Sequence, residues 1–289
     1  MGDAKRIIIK PISQADAAKI VKAIHYSGKI TNNSQLHLGI FLDGKCGGAM
    51  QFGPSLDKRK IVGLVAGTLW NEFLELNRLA LADWLPRNSE SRALGYAFRF
   101  IRKQYPWIKW IISFADGTQC GDGTIYRASG FVLTGIKVNN QIWEAPSGEV
   151  FNDTVVRPNI GGARERALKV FSRTSLTDGR SKQQQQQAKT LIKKTMDNPN
   201  NTDTDTDTGA SSMKMFKAAG WKPKAGFQLR YIYFLDPSAR ERLTVPIIPF
   251  SEIERRGAGM YLGKPKRPPD RGVIGSPDDR RCKPDPAAP

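Results

Sequence analysis

Only two histidines and three cysteines occur in 289 residues, and Cys46, Cys120 and Cys282 stand far apart with no CxxC spacing. That scarcity argues against a zinc module or a disulfide framework and leaves reduced thiols as the expectation. No apolar run approaches the roughly 18 residues that a membrane-crossing helix needs. The opening MGDAKRIIIKPIS is basic without an apolar segment of leader length and reads as a first strand, so the chain is expected in the cytoplasm with no membrane partner. No helix-period segment joins a lysine-rich face to a broad apolar one, as membrane-surface binders do. A glycine-rich phosphate loop is also missing.

Positive charge, by contrast, is abundant. The formal net charge is +18 and the pI near 9.9. Residues 1–160 hold 20 Lys/Arg against 13 Asp/Glu, and the remaining residues hold 25 against 14, so both halves are basic. Such a field attracts polyanions and speeds encounters with them. Lys58-Arg59-Lys60, Arg99, Arg102, Lys103 and the tail from Lys264 to Arg267 are candidate phosphate contacts, though any one of them alone reads as solvated surface.

Along the chain, strand and helix signals alternate. RIIIKPIS reads as a strand, and a helix follows with Ser13 and Asp16 in a capping relation and Gly28 as its expected C-cap. LHLGIFLDGKCGGAMQFG forms two alternating runs around Asp43-Gly44, a hairpin signal. KIVGLVAG is either a short helix or a turn. FLELNRLALAD reads as strand, and Pro86 with Asn88-Ser89 announces a helix whose Leu94, Phe98 and Ile101 share one face. WIKWIISFAD has the continuous apolar character of a central parallel strand. A short helix near Thr124–Ser129 comes next, and FVLTGIKV, NQIWEAPSG and VFNDTVVRP read as strands or hairpin arms. The order predicts an α/β (α+β) fold, a single mixed sheet flanked by helices.

Four regions follow: a main domain over 1–160, a low-complexity insertion over 161–212, a strand region over 213–256 completing the domain, and a basic Pro-rich tail over 257–289. The glutamine run and Thr-Asp repeat cannot bury much surface, so about 174–211 is expected to be flexible, with RYIYFLD returning to the sheet.

Three motifs point to chemistry. LELNRLAL followed by PRNSESRALG places a helix N-terminus after a strand, an anion-sized site to which Ser89, Ser91 and Arg92 add donors; an ordinary capped helix is the plainer reading. IYRASGF carries Tyr126 toward the sheet and resembles the last helix of Gcn5-related acyltransferases, where a tyrosine commonly serves as general acid toward a leaving thiolate. AIHYSG sets His25 beside Tyr26 at a helix end, suited to proton transfer or metal ligation.

Taken together, HYSG (25–28), LELNRLAL (74–81), NSESRALG (88–95), IKWIISFADG (108–117), GTIYRASGF (123–131) and RYIYFL (230–235) resemble the Mom family of phage DNA-modification proteins. The motifs run in the family's order. The resemblance implies a Gcn5-related acyltransferase-like fold. It also implies conversion of adenine in double-stranded DNA to the N6-carbamoylmethyl form, which shields phage DNA from host restriction. By the same resemblance, His25, Tyr26 and Asp116 match essential polar residues proposed to bind Fe(II). Arg78, Ser91 and Tyr126 match residues needed for activity, with Arg92 beside them at the donor site. The implied donor is acetyl-coenzyme A or a related acyl- or glycyl-type molecule.

The chemistry of the residues is compatible with this. An adenine N6 amine is a poor nucleophile and must be extruded from the duplex, relieved of a proton and held against an electrophilic carbon. Asp116, expected at the C-terminal end of a central strand, suits either proton acceptance or metal ligation. Arg78 suits a carboxylate, phosphate or developing oxyanion. Cys120 has no histidine near it in sequence and reads as a neighbour. The competing readings are an N-acetyltransferase acting on a small amine, protein or RNA, and a non-enzymatic DNA-binding protein. Oligomeric state stays open, a homodimer included.

Overall fold

A computed structural model describes residues 3–25, 30–116, 121–152, 186, 190, 216–217 and 219–258. Tyr26, Gly28, Cys120, Cys282, almost all of the insertion and the tail beyond residue 258 lie outside the described residues. The chain divides into two units, Met1–Ile136 with Gln228–Leu262 and Arg267–Pro289 in the first, and Lys137–Phe227 with Gly263–Lys266 in the second.

The first unit is built on a mixed sheet. A 3-10 turn, Asp3–Arg6, leads into β1 (Ile8–Pro11), followed by α1 (Gln14–Ile24), β2 (Leu36–Leu42) and β3 (Lys45–Gly53). The β2–β3 hairpin turns at Asp43 and Gly44, with φ of 51° and 79°, the positive values that a two-residue turn demands. After α2 (Lys58–Val62) come β4 (Phe73–Leu81), α3 (Ser89–Gln104), β5 (Trp110–Asp116), α4 (Thr124–Ala128) and β6 (Val132–Glu144). Next are β7 (Val150–Asn152), β8 (Lys222–Phe234), α5 (Pro237–Glu241) and α6 (Ser251–Arg255). In this unit the strand order is β1-β2-β3-β4-β5-β8-β6. The returning strand therefore enters between β5 and β6, not at an edge. Thus β5 is parallel to β4 on one side but antiparallel to β8 on the other.

Two other expectations change. α1 stops at Ile24, and His25 is its C-cap in an extended conformation, so the helix ends earlier than Gly28. FVLTGIKV and NQIWE form one strand of 13 residues. The polar Asn139-Asn140 pair that suggests a break sits inside that strand, where ladder hydrogen bonds outweigh local turn preference.

Pleat alternation assigns the two faces. One face packs α1 through Ile12, Ala17, Ile20, Val21, Ala49 and Ala80. On the same face, α2 and α5 cover Phe73, Trp110, Ile112 and Ile232, and Phe73 stacks on Trp110 at 4.4 Å. The opposite face takes α3, whose Leu94, Phe98 and Ile101 are buried; Phe98 stacks on Tyr233 at 3.9 Å. Described by itself, the second unit pairs β6 with β7 and holds a small aromatic cluster of Trp143, Phe216 and Trp221.

Candidate active site

The sheet opens where the parallel pair ends. β4 and β5 are in register only at Phe73–Trp110, Leu74–Ile111 and Glu75–Ile112, yet β4 continues to Leu81 and β5 to Asp116. The cause is local to β4. Register against β3 slips between Gln51 and Phe52, which pair with Arg78 and Leu76, so Asn77 is the extra residue of a bulge. A bulge adds twist and ends pairing with a neighbour. Ser113 Oγ bridges the start of the split to the Leu76 carbonyl at 3.4 Å.

The expected site residues divide between the two faces around this split. Arg78 pairs with Gln51, in step with Ala49 and Ala80 on the α1 face, and its Nη1 donates to the Asn77 carbonyl at 2.6 Å. Asp116 continues the alternation of Trp110, Ile112 and Phe114 and so lies on that face too. His25 caps α1 above it. Tyr126, Ser91 and Arg92 belong to α4 and α3, on the other side.

On the α3 side a groove of about 320 Å³ runs from the end of β4 past the first turn of α3 to α4, with Ser89, Ser91, Thr124 and Ile125 in its wall. Asn88, with φ of 70°, precedes the helix and aims its first turn outward. Some of those first-turn N–H groups have no intrahelical acceptor. Ser91 Oγ donates to the Asn88 carbonyl at 3.2 Å, and Arg92 reaches the Lys5 carbonyl at 2.8 Å, tying α3 to the N-terminal turn. Arg87, Asp83 and Glu90 all line the groove, so charge there is mixed.

Groups given no role in the motif reading fix the loop that feeds α4. The Asp122 carboxylate accepts from Thr124 N at 3.1 Å and pairs with Arg127 at 2.6 Å. Gly123 has φ of 77°, and a Cβ there would meet the Tyr231 ring at 2.5 Å. The Tyr231 hydroxyl donates to the Asp122 carbonyl. Burial, with Asp122 adding, pushes the Tyr231 phenol far above its usual range, so it stays a neutral donor. Tyr126 packs its ring at 5.2 Å from both Phe131 and Tyr231. Its orientation is therefore set by aromatic packing.

The α1 face holds a polar patch between its two apolar clusters. Ser34, His37, Gln51, Ser55 and Asn77 are all buried there. Glu75 stands opposite Gly53 in the register, near Ser55, Asn77 and Arg78, and burial raises its carboxyl above the ordinary value while those neighbours partly offset the rise. Sequence alone gave no signal for this patch, because its members are scattered over three strands and two loops. The one available hint was alternation that breaks, with Gln51 and Asn77 at inward positions.

An Fe(II) site does not assemble from what is described. No group of three His, Cys, Asp or Glu suited to a metal occurs among the described residues, and Tyr26 lies outside them. His25 and Asp116 supply only two donors.

Comparison with known proteins agrees with the family resemblance. The curated methylcarbamoylase mom of Escherichia phage Mu is 41% identical over 133 residues, 46% of this chain and 55% of that protein. The alignment thus spans about half the length of the curated relative. Among solved structures, an acetyltransferase of the GNAT family from Streptococcus pneumoniae aligns at TM-score 0.33 and 15% identity, covering 46% of this chain and 88% of that one. The ribosomal-protein-S18-alanine N-acetyltransferase from Escherichia coli aligns at TM-score 0.33 and 12% identity over 45% and 81%. At scores this low, the strand order itself remains the basis for the fold. The family model described as Mom protein family matches residues 6–187, and the chain belongs to that family.

Proposed function

We propose that this protein modifies DNA, transferring a carbamoylmethyl group to the N6 amine of adenine in double-stranded DNA and so protecting phage DNA from restriction. The observation that carries the reading is the split between β4 and β5, with a groove past the end of β4 on the α3 side and a polar patch on the α1 face. An acyl- or glycyl-type donor lies in the α3–α4 groove, with Ser91 and the first-turn N–H groups holding its polar part. Its reactive methylene carbon is presented toward Arg78, whose guanidinium holds the oxygen of the adjoining carboxamide.

The extruded base approaches from the α1 face. As the N6–carbon bond forms and the bond to the leaving group breaks, Asp116 takes the N6 proton, with His25 at the end of α1 as its partner in proton transfer. Tyr126 donates to the departing group. Fe(II) is assigned no step, because the described residues do not make a ligand set for it. Basic groups on the surface, including Lys58, Arg59 and Lys60, hold the duplex through its phosphates.

The test is protection. Plasmid DNA from bacteria producing soluble protein is challenged with endonucleases whose sites contain adenine. Resistance is expected, and complete digestion would overturn the reading.

A further inference from the structure

The polar patch on the α1 face contains side-chain atoms that the fold leaves unpaired. Thr31 Oγ1, Asn33 Oδ1, Gln51 Oε1 and Asn77 Nδ2 are buried without a hydrogen-bond partner. Each amide spends one end on the protein. Asn33 Nδ2 donates to the Pro54 carbonyl at 2.7 Å, Gln51 Nε2 meets His37 Nδ1 at 3.2 Å, and Asn77 Oδ1 accepts from Ser34 Oγ at 2.9 Å. Asn77 Nδ2 lies close enough to the Glu75 carboxyl to affect its titration, but without the geometry of a hydrogen bond.

Four such atoms are costly, since each buried polar group without a partner forfeits its hydration. Their residues are neighbours around Gly53. A Cβ at Gly53 would meet the Asn33 carbonyl at 2.6 Å, Ser34 Cα at 2.7 Å and Asn77 Oδ1 at 2.9 Å, and Gln51 is two residues along the same strand face. Gln51 itself is only 1% exposed and Asn77 6%. Two amide oxygens, an amide NH2 and a hydroxyl supply the acceptors and donors that a flat heterocycle bearing an exocyclic amine beside a ring nitrogen requires. That is the edge an Asn or Gln reads on adenine.

We propose that Thr31, Asn33, Gln51 and Asn77 form the reading edge for the extruded base and select adenine by its amine and ring nitrogen. The inference rests on the DNA-modification reading above. The base arrives by way of the groove of about 520 Å³ that Gln35, Pro54 and Ser55 border. The turn at Thr31–Gln35 shifts to admit it; its own Ser34 N to Thr31 carbonyl contact is long, at 3.4 Å.

The experiment measures binding, not modification. Full-length protein is titrated with duplexes carrying adenine opposite an abasic site, where extrusion costs little, and with matched duplexes carrying cytosine there. Wild type is expected to prefer adenine by about tenfold or more. Thr31→Val, which removes an unpaired hydroxyl and keeps the shape, should melt no lower than wild type and lose part of that preference. Asn77→Asp, which keeps the acceptor for Ser34, should lose most of it, and both variants should bind fully paired duplex as before. Unchanged preference in both variants overturns the proposal, as does absence of preference in wild type. If wild type shows no preference while cellular DNA is still protected, the reading edge fails and the DNA-modification reading stands; unprotected DNA fails the latter separately.

Discussion

Single residues separate packing from chemistry at this site. Tyr126 is held by the rings of Phe131 and Tyr231, so Tyr126→Phe should keep the melting temperature within about a degree. Removal of a general acid should still cut modification by roughly 10²–10⁴-fold. Gly123→Ala has the opposite character. It forces a side chain into a left-handed conformation and against Tyr231, at a combined cost of roughly 2–5 kcal/mol, so thermal denaturation should reveal a badly destabilised protein. Glu75 offers a test by pH. Its folded carboxyl holds a proton more tightly than in the unfolded chain, mainly through burial. The stability this gives is present below the ordinary carboxylate value of about 4.3 and is lost as pH rises through the raised folded value. Glu75→Gln should therefore melt a few degrees above wild type at pH 7, with the gap closing near pH 4. A gap that widened toward acid would contradict that sign.

At the level of elements, α4 is too short to hold itself and depends on the Asp122 carboxylate at its start. Asp122→Ala should cost about 1–2 kcal/mol of stability, a fall of roughly 2–8 °C in Tm. It should also raise the KM for the donor more than it lowers kcat, because Thr124 and Ile125 form the groove wall. An unchanged KM would detach α4 from donor binding. Elements whose partners are near in sequence were legible beforehand. Asp43-Gly44 declares its turn, Ser13 its cap, and Leu94, Phe98 and Ile101 their common face. What periodicity cannot carry is long-range choice. β8 enters between β5 and β6 because Tyr231 and Tyr233 cover the α3 face while Ile232 completes the other, and nothing local to RYIYFLD states which gap it fills. The bulge at Asn77 was equally hidden, since it exists only as a mismatch between β3 and β4. The motif residues stand out in the sequence, but the face that Arg78 takes depends on that bulge.

For the whole molecule, the proposed function and the charge make one joint prediction. A net charge of +18 predicts salt-sensitive association with duplex DNA. If 6–10 phosphates are contacted, affinity should fall roughly 10³–10⁵-fold between 50 and 200 mM salt, and a flat salt dependence would remove the electrostatic part of the account. No helix among the described residues is long and apolar enough to cross a membrane. The central claim is that the opening between β4 and β5 delivers a carbamoylmethyl group to adenine, with Asp116 receiving the proton. Mass spectrometry of nucleosides from the DNA of producing cells tests it most directly. The account predicts N6-carbamoylmethyladenine with the wild-type protein and its loss with an equally soluble, normally melting Asp116→Asn variant; unmodified adenine in both, or equal modification in both, would contradict it.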